Sequence, residues 1–315
     1  MNCSVLCILI ALLSASAAYG QPVPLADHHQ HLFSPGIAAL ESVKPISAED
    51  VVSLLDAASM RRAVVLSVAY IYGDPTATID NEYEKVKAEN DWTSQQVARF
   101  PDRLVGFCSV NPLREYALRE IARCAQDPNL RRGLKLHVAN SKVDYHNAAH
   151  VAELRKVFAA ANQHRMAMVV HMRTSISGKI PYGATEARIF LDQIASAAPD
   201  VPIQIAHLAG AGGYQDPLID QALAVLAEAI EKGDPRTKNM YFDVTTVVLP
   251  NMRAELLQQI ATRIRQLGLS RILYGSDAAT GGNLPPKEGW VAFRKLPLSE
   301  QEFRTIAENV PSYLR

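Results

Sequence analysis

Residues 166–172 read MAMVVHM, and residues 202–208 read PIQIAHL. Each is a short apolar run with a histidine at its end. Four to six mainly apolar positions match a strand buried on both faces, and the imidazole then falls where the strand passes into a loop. Six more segments of the same kind surround these two: 25–32 (LADHHQHL), 63–70 (AVVLSVAY), 104–110 (LVGFCSV), 133–138 (GLKLHV), 240–247 (MYFDVTTV) and 271–277 (RILYGSD). Longer amphipathic stretches separate them, at 47–60, 151–163, 218–231 and 252–267, and 298–309 reads as a final helix. Ser47 followed by Asp50 resembles a capping box with Asp in place of the usual Glu. Buried strands alternating with helices predict an α/β protein with a parallel sheet covered on both faces. Eight such units predict a (β/α)₈ TIM barrel. A doubly wound open sheet is the rival fold, but no G-x-G-x-x-G follows the first strand, which argues against its nucleotide-binding form.

The 315 residues exceed the roughly 250 of a minimal α/β barrel only modestly. No linker, long repeat or low-complexity tract interrupts residues 21–315, so they are expected to form a single domain. Residues 1–20 stand apart. They carry no charged side chain, hold an apolar run at 5–13 and small residues at 14–18, and end in Ala18-Tyr19-Gly20. That layout predicts a cleaved signal peptide and an exported protein. The apolar run is well short of the roughly 20 residues needed to span a bilayer, so no stable membrane insertion is expected after cleavage. Removal of the leader takes Cys3 and Cys7 with it. Cys108 and Cys124 then either pair in an oxidising compartment or, the more common situation, remain buried free thiols. Apolar residues at 48% and charged residues at 20% exclude a disordered chain. Equal counts of basic and acidic residues exclude a nucleic-acid or anionic-membrane footprint. A small-molecule substrate is the expected partner, and a homo-oligomer is compatible with the sequence.

The chemistry gathers at the strand ends. In Asp27-His28-His29-Gln30-His31, residues two apart face the same way in a strand, which turns His29 and His31 toward one side about 6.5 Å apart. Two imidazoles so placed can converge on one metal ion at about 2.0–2.1 Å. Asp27 is expected on the same face, positioned to orient a ligand. H-x-H alone is a weak signal, and a polar loop explains it equally well. However, His171, His207 and Asp277 also follow apolar runs. In an α/β barrel all such residues emerge on the carboxyl-terminal rim. Imidazole and carboxylate suit zinc or a similar divalent ion.

D-x-H-x-H at 27–31, His171, His207, G-S-D at 275–277 and the stretch 101–112 (PDRLVGFCSVNP) together resemble the amidohydrolase superfamily, in particular its amidohydrolase-related family. The resemblance covers essentially the whole mature chain. It implies one divalent metal ion, with zinc expected, held by His29, His31, His171 and Asp277. It implies a catalytic role for His207 beside the metal-activated water. Asp277 doubles as a proton acceptor.

Lys135 and His137 share a face of the fourth strand. Lys135 either binds a substrate carboxylate, bridges two metals as a carboxylated lysine in the manner of binuclear members, or pairs with a buried carboxylate. One metal with a substrate-facing Lys135 is the favoured expectation, with His137 lining the pocket. Arg173 is expected to grip a substrate carboxylate, and the 174–186 loop with Tyr182 to act as a lid or specificity loop. Gly210 to Gly213 lacks a phosphate-loop ending and is read as backbone room beside the pocket. Asp243 and Thr245 share a strand face and are read as supporting or packing residues. The expected function is metal-dependent hydrolysis of a small lactone, cyclic amide or ester, or carboxylic acid. The alternatives are a non-oxidative decarboxylase or hydratase of an unsaturated acid on the same site, or a barrel that binds without turnover.

Overall fold

Eight short parallel strands lie side by side in chain order: β1 (Ala26–Gln30), β2 (Arg62–Leu66), β3 (Leu104–Ser109), β4 (Gly133–His137), β5 (Ala167–His171), β6 (Ile203–Ile205), β7 (Met240–Asp243) and β8 (Ile272–Leu273). The computed structural model describes residues 21–175 and 179–314. The last strand meets the first where the His28 amide donates to the Tyr274 carbonyl at 2.8 Å and the Asp277 amide to the His29 carbonyl at 2.7 Å. Sequential order with this near-closure is the (β/α)₈ barrel and rules out the doubly wound sheet. The expected signal peptide lies outside the described residues.

Among the described residues ten helices surround the strands: α1 (Pro35–Glu41), α2 (Ala48–Ala57), α3 (Glu82–Ala98), α4 (Ala117–Cys124), α5 (Ala148–Gln163), α6 (Ala184–Ile189), α7 (Pro217–Glu231), α8 (Ala254–Leu267), α9 (Pro286–Phe293) and α10 (Glu300–Glu308). Their starts are written locally. Ser34, Ser47, Asn147, Asp216 and Ser299 each accept a hydrogen bond from an amide of the first turn. Each such cap is worth about 1 kcal/mol. Ser47 and Asp50 form the complete capping box. The 17-residue α3 escaped sequence reading because its inward face is polar: Glu89, Asn90, Thr93 and Ser94 are all buried. Asn90 replaces apolar packing with hydrogen bonds, donating to the Ser109 carbonyl at 2.9 Å and accepting from the Ser109 amide at 3.0 Å.

Strand alternation sorts two cores. Leu134, Leu136, Met168, Val170, Ile203 and Ile205 point outward into the layer beneath the helices. Val64, Leu66, Val105, Phe107, Ala167 and Val169 fill the barrel interior, where Tyr313 and Leu314 join them. A Cβ at Gly133 would fall 2.2 Å from the Phe107 ring, so the interior admits only glycine there. The same parity directs Lys135, His137 and His171 into the barrel, one or two residues above this apolar plug. Among the described residues no helix is long and apolar enough to cross a membrane.

Cys108 on β3 and Cys124 at the end of α4 form a disulfide, correcting the expectation that free thiols are the commoner state. Both are fully buried. The sequence could not settle this, because pairing depends on α4 lying back along its own strand. The bridge closes a short loop, with a sequence separation of 16. Replacing both cysteines by serine is therefore expected to cost about 3 kcal/mol. Denaturant titration checks this, and an unchanged midpoint would assign the bridge no role in stability.

Candidate active site

The strand ends and following loops build one cavity of about 360 Å³ at the carboxyl-terminal rim, lined by His29, His31, Lys135, His137, His171, His207 and Asp277. These seven come from β1, β4 and β5 and from the segments after β1, β6 and β8. They meet because a barrel brings every strand end to one rim.

Four of the histidines have a ring nitrogen tied down. His29 Nδ1 lies 3.0 Å from Asp243 Oδ2, His31 Nδ1 lies 2.6 Å from the Leu66 carbonyl, and His207 Nδ1 lies 3.0 Å from the Thr245 carbonyl. Each contact requires Nδ1–H as donor and leaves an Nε2 lone pair for the cavity. His137 is the reverse: its Nδ1 accepts from the Asn140 amide at 3.3 Å, so Nε2 carries the proton. His137 stands opposite His171 in the β4–β5 register, and the two rings stack with centroids 4.0 Å apart. His171 Nε2 is buried with no hydrogen-bond partner.

Burial favours the neutral form of His31, His137, His171 and His207. It lowers His207 to about 4, helped by the neighbouring His29 and opposed by Asp243 and Asp277. His31 and His171 are also held well below the usual imidazole range, mainly by burial, with Lys135 adding to the effect on His31 and His137 to that on His171. Asp243 goes the other way. Burial pushes its carboxyl up, but His29 and the hydrogen bonds from the His29 ring and the His207 amide outweigh this and hold it well below the carboxylate range.

Asp277 has left-handed backbone, φ 52°. Its side chain is set by Thr280 Oγ1 at 2.7 Å on Oδ1 and Asn283 Nδ2 at 3.1 Å on Oδ2. The Oδ1 atom lies 3.7 Å from His31 Nε2. Gly275 lets this segment pass close to β1, since a Cβ there would meet Thr245 Oγ1 at 2.3 Å and His29 Cβ at 2.8 Å.

The donor set fits a divalent cation: neutral imidazoles with fixed tautomers, a carboxylate, and an orphaned buried nitrogen on His171. His29, His207 and Asp277 each offer a ligand atom within 4.8 Å of the others'. The tightest group thus includes His207, while His171 stands further back with its ring 5.2 Å from that of His207. Strands six and eight are shorter than expected, so neither His207 nor Asp277 belongs to a strand. His207 also has left-handed backbone, φ 53°. The local turn swings both side chains inward after the ladder has ended.

Lys135 is almost fully buried, with Nζ 3.1 Å from His29 Nε2. Among the described residues no carboxylate reaches it within ion-pair distance, contrary to the paired-lysine alternative. Burial lowers it to about 8, against the pull of Asp277 and Asp243.

Two expected substrate contacts do not line the cavity. Arg173 Nη2 is paired with Asp216 Oδ2 at 2.5 Å, at the cap of α7. Tyr182 is buried, and its hydroxyl donates to the Ala209 carbonyl. Residues two past the strand end had already left the barrel axis, which periodicity does not reveal. The expected lid is pinned at Thr174, whose hydroxyl donates to the Pro181 carbonyl at 2.7 Å, and its far end is α6. Residues 176–178 of that loop lie outside the described residues. Ala211 and Gly212 do line the cavity.

Asp27 is not beside the ligands. It binds Ser276 Oγ at 2.6 Å and Gln30 Nε2 at 2.8 Å, tying β1 to the segment after β8. The carboxylate that orients His29 is Asp243. The signal for it was present, a polar residue closing an apolar run, the same cue that marked His171. Asp243→Asn is expected to lower divalent-metal affinity by about 10–100-fold, because one amide cannot accept both from the His29 ring and from the His207 and Thr245 amides. Chelator competition measures it, and wild-type affinity would remove Asp243 from the site.

A TIM barrel with histidines and an aspartate converging at its carboxyl-terminal rim defines an amidohydrolase-like enzyme. A family model described as amidohydrolase matches residues 26–309. The chain belongs to this family. A comparison with curated proteins returns no match. Among solved structures, 5-carboxyvanillate decarboxylase from Sphingomonas paucimobilis is 15% identical, with a TM-score of 0.63 over 90% of this chain and 96% of that one. A probable 2-pyrone-4,6-dicarboxylic acid hydrolase from Acinetobacter baumannii, with citric acid bound, is 16% identical, with a TM-score of 0.60 over 90% and 96%. A dihydroxybenzoic acid decarboxylase from Polaromonas, with bound manganese and the inhibitor 2-nitroresorcinol, is 16% identical, with a TM-score of 0.60 over 91% and 95%.

Proposed function

We propose that this enzyme is a metal-dependent hydrolase of a small lactone, cyclic amide or ester, or carboxylic acid. The observation that carries the reading is the inward convergence of the His29, His31 and His207 Nε2 lone pairs and the Asp277 carboxylate, with His171 Nε2 unpartnered beside them. His29, His31, His171 and Asp277 would hold one divalent ion, zinc being the first candidate on donor chemistry. The bound ion supplies Lewis-acid polarisation and a water of lowered pKa. His207 Nε2 takes the proton from the attacking water. The cation so formed is stabilised by Asp243 and Asp277, which already oppose the effect of burial on this ring. The His137 Nε2–H and the Lys135 ammonium then hold a substrate oxygen from the β4 side.

Decarboxylation of an unsaturated acid is the second reading. It is favoured by the decarboxylases among the similar structures. Membership of an enzyme family leaves the non-catalytic barrel without support. Metal analysis of the purified protein, coupled to a screen of lactones, cyclic amides and unsaturated acids, tests both. Ring-opened acid supports the hydrolase, CO₂ the decarboxylase, and turnover without metal rejects both. We also propose export, supported by the leader-like residues 1–20 and by the buried disulfide, which suits an oxidising compartment. Intact mass from the native host should begin at Gln21.

A further inference from the structure

A second cavity of about 110 Å³ adjoins the first and shares Thr246, Leu249 and Asn283 with it. It lies between the segment after β7 and the segment leading into α9, with Val247, Val248, Leu284 and Phe293 among its walls. Its polar side chains are already committed elsewhere. The Tyr274 hydroxyl donates to the Pro286 carbonyl at 2.6 Å, Ser276 Oγ to Asp27, and Asn283 Nδ2 to Asp277. Thr246 Oγ1 lies 3.3 Å from His207 Nδ1. These commitments leave a wall that is mainly apolar.

The same committed groups place this cavity beside the chemistry. Asn283 and Thr246 are at once its wall and the supports of Asp277 and His207. An occupant would lie one side chain away from both.

We propose that this cavity is a subsite for an apolar arm of the substrate, an alkyl chain of about four carbons. The size follows from scale, since a dry apolar cavity of about 150 Å³ takes benzene with its six carbons. This inference rests on the reading of the histidine and aspartate cluster as the metal-binding reaction centre, and it adds the substrate's apolar character. A ligand with its polar head at His29, His31 and Asp277 would send its tail past Thr246 and Leu249.

Alkyl hydroxamic acids test it by binding, with no substrate required. The hydroxamate head chelates divalent metal, and the tail is lengthened from methyl to octyl. Calorimetry on the metal-loaded full-length enzyme should show affinity rising about fourfold per buried methylene and levelling off near four carbons. Val248→Phe should abolish the gain with chain length while leaving the methyl probe's affinity unchanged. Val248→Ala should move the plateau to longer tails. Opposite shifts from one position exclude general misfolding as the cause. Equal affinity for methyl and butyl tails in the wild type would overturn the subsite. So would Val248 variants that change all probes alike. Crystals pressurised with xenon provide the arm that does not depend on metal. If the methyl probe fails to bind, the metal reading fails. Xenon held in the cavity of the same protein then still supports an apolar pocket, and xenon excluded from it overturns the subsite as well.

Discussion

His207→Ala should lower turnover of the substrate found by screening by about 10²–10⁴-fold, the scale of a lost general acid–base group, with metal content close to wild type. The expectation rests on Nε2. Nδ1 is committed to the Thr245 carbonyl at 3.0 Å, so the other nitrogen is the one free to move a proton. The position has left-handed backbone, φ 53°. Asparagine tolerates that conformation better than alanine, so His207→Asn serves as the companion variant. Both should lose turnover alike. If metal is lost together with activity, His207 is a ligand, as its place within 4.8 Å of the His29 and Asp277 ligand atoms allows. If turnover per folded molecule holds while Tm falls, the ring is packing. Atomic absorption, a melting curve and kcat on one preparation separate the three.

His31→Ala should take the protein from about one divalent ion per chain to nearly none. The Leu66 carbonyl aims this ring, and its Nε2 lies 3.7 Å from Asp277 Oδ1. The stability conferred by metal should vanish with it. At a free metal concentration 100 times Kd that contribution is about 2.7 kcal/mol, because only the folded state holds the site. Tm with and without added metal measures it. A variant that keeps its ion would remove His31 from the ligand set. Two ions in the wild type would instead favour a carboxylated Lys135 as the bridge, its Nζ lying 3.1 Å from His29 Nε2.

Most of the barrel was legible because its strands are apolar runs of one kind, separated by amphipathic helices with visible caps. Buried on both faces, such strands have no alternation to lose, and the run itself marks them. His29, His31 and Lys135 were legible from the two-residue alternation of a strand, and His171, His207 and Asp277 for a reason related to the runs. An ionisable residue at the end of an apolar run stands out against its surroundings, and barrel closure sends every such end to the same rim.

Four matters waited for the third dimension. Helix α3 buries Glu89, Asn90, Thr93 and Ser94 between Val86 and Val97, so its apolar stripe is interrupted. Arg173, two residues past β5, and Tyr182, further along the same loop, turn to Asp216 and Ala209, since the direction of a loop depends on what it packs against. Asp243, not the nearer Asp27, orients His29, because the hydrogen bond joins residues 214 apart in sequence. The tautomers are the last case. Whether a ring offers a lone pair or an N–H depends on which carbonyl, amide or carboxylate lies against its other nitrogen. Residue type is a property of the chain, and local order suffices to place it at a strand end. The partner of each polar atom is a property of the packed barrel, brought together from distant segments, and it is there that a row of histidines becomes a site with assigned donors and acceptors.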